Sequence, residues 1–133
     1  MFTNMLSLNS GGNEQPSGAS IGTFLGKSSG SNLSSSNYKG ILDDPNNCIF
    51  VELGYKPTNV YISAFGFDRA AYIDSLFFGD TLYGSTYAAS NYIKDGDYFL
   101  LYGYVAIKLV DNGFYATVDT YYFKDKEIIY AMS

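Results

Sequence analysis

An all-β fold, a small antiparallel β-sandwich with an extended N-terminal arm, is what this sequence predicts. Three observations lead there. Short runs of alternating apolar and polar residues recur after residue 48, and residues such as Asn112-Gly113 and Pro57 punctuate them. Helix-period patterning is weak throughout. Composition also changes abruptly near residue 47: the stretch before it holds 10 Ser and 7 of the 14 Gly but only Phe2, Phe24 and Tyr38 among the aromatics. The chain accordingly divides into a Gly/Ser-rich extended arm, residues 1–47, and a sandwich domain, residues 48–133. A length of 133 residues suits one domain and leaves no room for two.

The arm buries too little to offset its ordering entropy alone. Taken by itself it reads as a flexible tail or linker. As a structural element it reads as a strap lying across other chains, with Phe2, Leu6, Leu8, Ile21, Phe24, Leu25, Ile41 and Leu42 as pegs and Met5 and Leu33 beside them.

In the body, Cys48–Leu53 alternates with Ile49, Val51 and Leu53 on one side and Phe50 and Glu52 on the other. Gly54-Tyr55-Lys56-Pro57-Thr58 turns the chain, since proline lacks the donor a central strand needs. Val60–Phe65 resumes with Val60, Ile62 and Ala64 on one face. Residues 69–78 offer at most a short helical turn. Residues 79–97 read as a long irregular stretch, of the kind that carries contacts or function. Tyr98–Val110 is expected as one long strand in which Phe99, Leu101, Val105, Ile107 and Leu109 share a face and Gly103 makes a bulge or bend. Asp111-Asn112-Gly113 is a hairpin signal, because Asn-Gly accepts positive φ. It leads to a strand with Phe114, Ala116, Val118 and Thr120 on one face, and Thr117 and Asp119 looking outward. A turn at Lys124-Asp125-Lys126 then opens the closing strand Ile128–Met132, so that the last three strands form a meander.

Gly54-Tyr55-Lys56-Pro57-Thr58-Asn59-Val60-Tyr61-Ile62, the hairpin Val110-Asp111-Asn112-Gly113-Phe114 and the ending Ile129-Tyr130-Ala131-Met132 are together similar to a pattern in small β-sandwich domains of structural proteins from tailed bacteriophages and prophages. The likeness spans most of residues 48–133 and none of the arm. The aromatic insertion at residues 66–97 departs from the pattern. What the resemblance implies is a non-enzymatic virion component of a tail, baseplate, fibre or capsid surface.

Composition narrows the chemistry further. With 8 Lys+Arg against 13 Asp+Glu the net charge is -5, the wrong sign for a nucleic-acid partner. No apolar stretch is long enough to span a membrane, and the opening residues lack the pattern of a secretory signal, so a protein made in the host cytoplasm is expected. Histidine is absent, which excludes Ser/His/Asp and Cys/His arrangements and the commonest metal ligand. The single Cys48 lies in an apolar run, where an inert buried thiol is the default. Carboxylate pairs at Asp43-Asp44, Asp95/Asp97 and Asp125/Glu127 flank turn residues, which explains them without catalysis or Ca²⁺. Gly22–Ser28 only superficially resembles the end of a phosphate-binding loop. No catalytic residue, metal or cofactor is expected.

Tyrosine is the remaining feature, with 14 residues and no Trp. Tyr61, Tyr102, Tyr104 and Tyr121 lie in expected strands. Tyr83, Tyr87 and Tyr92, in the irregular stretch, fit a subunit contact or a glycan site, with subunit contact favoured. The partners expected are copies of the chain and other virion proteins, with a host-surface glycan as the alternative ligand.

Overall fold

The computed structural model describes residues 18–69, 71–83 and 92–133. In chain order the elements are β1 (Ser20–Leu25), helix α1 (Tyr38–Leu42), a 3₁₀ turn (Pro45–Asn47), β2 (Ile49–Glu52), β3 (Asn59–Phe65), a second 3₁₀ turn (Phe67–Arg69), β4 (Tyr72–Phe78), β5 (Thr81–Tyr83), β6 (Tyr92–Asp95), β7 (Tyr98–Leu101), β8 (Val105–Val110), β9 (Gly113–Val118) and β10 (Glu127–Met132). They form two antiparallel sheets of five strands, ordered β1-β10-β3-β4-β5 and β2-β9-β8-β7-β6. The all-β sandwich read from the sequence is the fold observed.

Strand alternation places one face of each sheet inward. Val60, Ile62, Ile73, Phe77, Ile128 and Met132 from the first sheet meet Phe99, Ile107, Leu109, Phe114 and Val118 from the second, and Phe24 and Phe123 help close the core. Phe77 and Phe99 cross edge-on at 5.0 Å, as do Phe114 and Tyr130 at 5.3 Å. Gly22 makes room for this packing: a Cβ there would fall 2.5 Å from the Tyr130 hydroxyl.

The described part of the expected arm belongs to the body, which corrects its boundary. Residues Ser20–Leu25 pair with β10 from Ser20↔Met132 to Leu25↔Glu127, and Phe24 is buried in the core. Leu33, Tyr38 and Leu42 lie against the outer face of the second sheet, around Cys48, Leu100 and Ala106. Composition missed this because the buried residues are sparse: Ser and Gly between them span the gaps while a few large side chains reach the sheet. The pegs Phe2, Leu6 and Leu8, with Met5, fall outside the described residues.

Five further expectations change. The long run 98–110 is two strands, β7 and β8, paired from Tyr98↔Lys108 to Leu101↔Val105. Tyr102 (φ 62°) and Gly103 (φ 91°) turn the chain between them. The three-residue loop preserves parity, so Phe99, Leu101, Val105, Ile107 and Leu109 still share the buried face. The final strands are no meander, since β10 leaves β9 and enters the other sheet between β1 and β3. The change of sheet is fixed by Asp119, whose carboxylate accepts from the backbone N–H groups of Tyr121 (3.0 Å), Tyr122 (2.6 Å) and Phe123 (2.8 Å). Asp119 is therefore buried rather than outward; Thr117, opposite Ala106, does lie on the outer face but is covered there, its hydroxyl donating to the Lys27 carbonyl at 3.0 Å. Residues 72–78 are a strand, not a helical turn, and β5 and β6 give order to parts of 79–97.

Candidate functional site

The two sheets treat their outer faces differently. Residues 31–47 cover the second sheet: Tyr38 stands edge-on to Tyr98 at 6.4 Å, and Leu33 and Leu42 fill the space above Leu100 and Ala106. Polar contacts close the rim of this lid. The Asp43 carboxylate accepts from the Tyr98 hydroxyl (2.6 Å) and the Lys108 ammonium (2.9 Å), and Lys39 pairs with Asp95. The Tyr98 hydroxyl first, then Lys108, hold the Asp43 carboxyl below the usual carboxylate range. Lys39 and Lys108 each sit 5.5 Å from the Tyr98 ring centre. Burial beneath the lid pushes the Cys48 thiol up to about 11.

The first sheet has no such cover among the described residues. Register aligns Ile21, Ala131, Tyr61, Leu76 and Tyr83, one from each strand, in an outward row. Beside it run Thr23, Ile129, Ser63 and Asp74, then Leu25 and Glu127, with Phe65 paired to Tyr72 near the β3–β4 turn and Phe78 to Thr81 at the opposite end. Ile21 is 73% exposed, Leu25 60%, Phe65 and Phe78 57% each, Tyr83 53% and Ile129 43%. A shallow hollow of about 320 Å³ opens between Tyr61, Phe65, Tyr72 and Asp74. The Tyr61 hydroxyl donates to Asp74 at 2.7 Å, and the Arg69 guanidinium stacks over Phe65 at 4.9 Å. None of the eight Lys and Arg residues lies on these five strands, and the only acids are Asp74 and Glu127.

A second hollow of about 410 Å³ lies on the other sheet, between Leu33, Ser34 and Ser35 of the lid and Tyr92, Ile93, Leu100, Tyr102 and Gly103. Tyr102, held at positive φ, gives it an exposed ring, whereas Tyr92 pairs with Leu101 on the inner face of β6 and turns its ring toward Phe77.

The tyrosines singled out in the sequence are not one cluster. Tyr83 is on β5 beside Phe78, at 6.2 Å, whereas Tyr92 is on β6 of the other sheet, edge-on to Phe77 at 5.3 Å. Tyr87 lies outside the described residues. Of the expected pegs, Ile21 and Leu25 point outward from β1, Phe24 and Leu42 are buried, and Ile41 packs beside the lid cluster. The outward residues of β3 and β4 went unread as a site. Their signal was present, because Tyr61, Phe65, Tyr72, Leu76 and Phe78 are apolar or aromatic where a solvated face would alternate to polar residues.

Two of the acidic pairs have local partners: Asp44 accepts from the Asn46 N–H at 3.0 Å and Asp43 from Lys108, while Asp95 and Asp97 pair with Lys39 and Lys56. Among the described residues no three metal-ligating side chains gather, and no helix is long and apolar enough to cross a membrane. No protein-family model, curated protein sequence or solved structure matches the chain.

Proposed function

We propose that this chain is a non-enzymatic structural protein of a bacteriophage virion, in a tail, baseplate, fibre or capsid surface, and that it works by contact with neighbouring copies and other virion proteins. The observation that supports the assembly role is the uncovered outer face of the β1-β10-β3-β4-β5 sheet. Its six most exposed apolar side chains alone present on the order of 700 Å², above the few hundred Å² usual for a monomer's largest patch and close to one partner's share of a standard interface. Charge on the face is sparse, confined to Asp74 and Glu127 on the strands and Arg69 over Phe65, which limits the desolvation cost of association. The virion assignment itself comes from the motif resemblance at residues 54–62, 110–114 and 129–132.

Two experiments test this reading. Sedimentation of the purified chain should give an oligomer that Phe65→Ser/Phe78→Ser weakens at least tenfold with little change in melting temperature; an unaltered oligomer would remove the face from consideration. Mass spectrometry of phage particles released by the host that encodes the chain should find it at structural copy number, and its absence from them would refute the virion assignment.

A second reading, a receptor- or carbohydrate-binding module on a phage appendage, is favoured by the hollow that Tyr102 lines beside Ser34 and Ser35. A ring that stacks on a sugar and hydroxyls that bond its edge would meet there. Glycan-array binding lost in Tyr102→Ala, with the oligomer unchanged, would favour it over the first reading.

A further inference from the structure

We infer that the free edge of β1 is a strand-addition site for a second copy of this chain, joining two five-stranded sheets into one of ten strands about a twofold axis at Thr23. The inference rests on the assembly reading above.

Sheet margins present unpaired N–H and C=O groups, and stable monomers blunt them with short strands, charges or proline. Three of the four margins here are treated that way. Strand β5 has three residues, β2 has four and carries Glu52, and β6 has four and carries Lys94 and Asp95. Strand β1 has six, Ser-Ile-Gly-Thr-Phe-Leu, with no charge and no proline. Among the described residues no strand pairs with its outer side.

Geometry also selects the register. The Gly26 N–H donates to the Lys126 carbonyl at 2.9 Å, one step beyond the Leu25↔Glu127 pair. Antiparallel alternation then directs the backbone groups of Gly22 and Phe24 toward β10, and those of Ile21, Thr23 and Leu25 toward the open side. Cross-strand partners must also share a face. A twofold axis at Thr23 meets both conditions: Thr23 faces its own copy, Ile21 faces Leu25 of the other chain on the outer surface, and Gly22 faces Phe24 on the inner one. All six open backbone groups of Ile21, Thr23 and Leu25 would be satisfied. The two apolar outer faces would also become continuous.

Sedimentation of the full chain and of two variants tests this. Thr23→Pro deletes a donor that β10 does not use, and Ile21→Lys/Leu25→Lys charges the margin. Wild type should dimerise, and each variant should bind itself at least tenfold more weakly with an unchanged far-ultraviolet spectrum. A Thr23→Pro dimer as tight as wild type overturns the edge contact; if Phe65→Ser/Phe78→Ser is weakened in the same assay, the assembly reading survives that failure. A second measurement does not depend on the proline variant folding. A short bis-methanethiosulfonate should link Thr23→Cys chains efficiently and Ile21→Cys chains poorly, because residue 21 would lie about 14 Å from its own mate. Equal linking at both positions overturns the register. A full chain that is monomeric until residues 1–17 are deleted overturns the proposal in favour of its own N-terminus as occupant of the edge.

Discussion

Single residues in this fold often act through roles that their type does not announce. Asn112-Gly113 signals a hairpin, and the hairpin forms, yet neither residue has positive φ. Gly113 is required by close approach instead: a Cβ would lie 2.0 Å from the Val51 carbonyl oxygen. Gly113→Ala should therefore displace β2 and cost about 2 kcal/mol or more, measurable by urea unfolding. Asp119→Ala strands three backbone donors, those of exposed Tyr121, half-buried Tyr122 and buried Phe123, and should cost about 2–4 kcal/mol in the same assay. Ser75 has the opposite character, for its buried hydroxyl has no hydrogen-bond partner among the described residues. Ser75→Ala should leave stability unchanged or raise it by about 1 kcal/mol. Asp43 carries a pH dependence. Its folded carboxyl titrates below the unfolded value of about 3.9, so its contribution is present above that value and lost as pH falls through the folded one. The carboxylate is largely exposed, which limits the effect to on the order of 0.5 kcal/mol. Asp43→Asn should melt below wild type near neutral pH, and the gap should narrow once pH falls below the unfolded value and close below the folded one.

Elements were legible where one face is buried and the other wet, and obscure elsewhere. Strands β2 and β3 follow their alternation directly, with Val60, Ile62 and Ala64 inward. The strand β4 was missed because Tyr72, Leu76 and Phe78 on its outer face blur the alternation with Ile73 and Phe77 on its inner face. The split of residues 98–110 was hidden by arithmetic, since a three-residue turn keeps odd-numbered residues on one face as a single strand would. Helix α1 has five residues, too few for a periodic signal, and is held by packing rather than propensity. That makes the lid a separable test. Leu42→Ala should cost about 2–4 kcal/mol and open the cover over Cys48. Labelling of Cys48 by a thiol reagent at mildly alkaline pH should be slow in wild type, where the raised thiol stays protonated, and clearly faster in the variant.

For the whole molecule, the contrast between a lidded sheet and a bare one organises the surface, and the sequence announced only a part of it, in the apolar outward positions of β3 and β4. Composition placed residues 1–47 outside the body, whereas residues 31–47 are the reason one sheet is finished. The bare sheet was unreadable as a patch because Ile21, Ala131, Tyr61, Leu76 and Tyr83 become neighbours only through cross-strand register. Strand β10 has a further consequence. It comes after every other strand in chain order, yet it is the keystone between β1 and β3, so the first sheet stays in two parts until residues 127–132 have been made. A nascent chain would carry two raw strand margins across that gap, and truncation after Lys126 should yield insoluble material rather than a slightly smaller sandwich. Solubility therefore hangs on residues 127–132, whose loss turns a folding chain into an aggregating one.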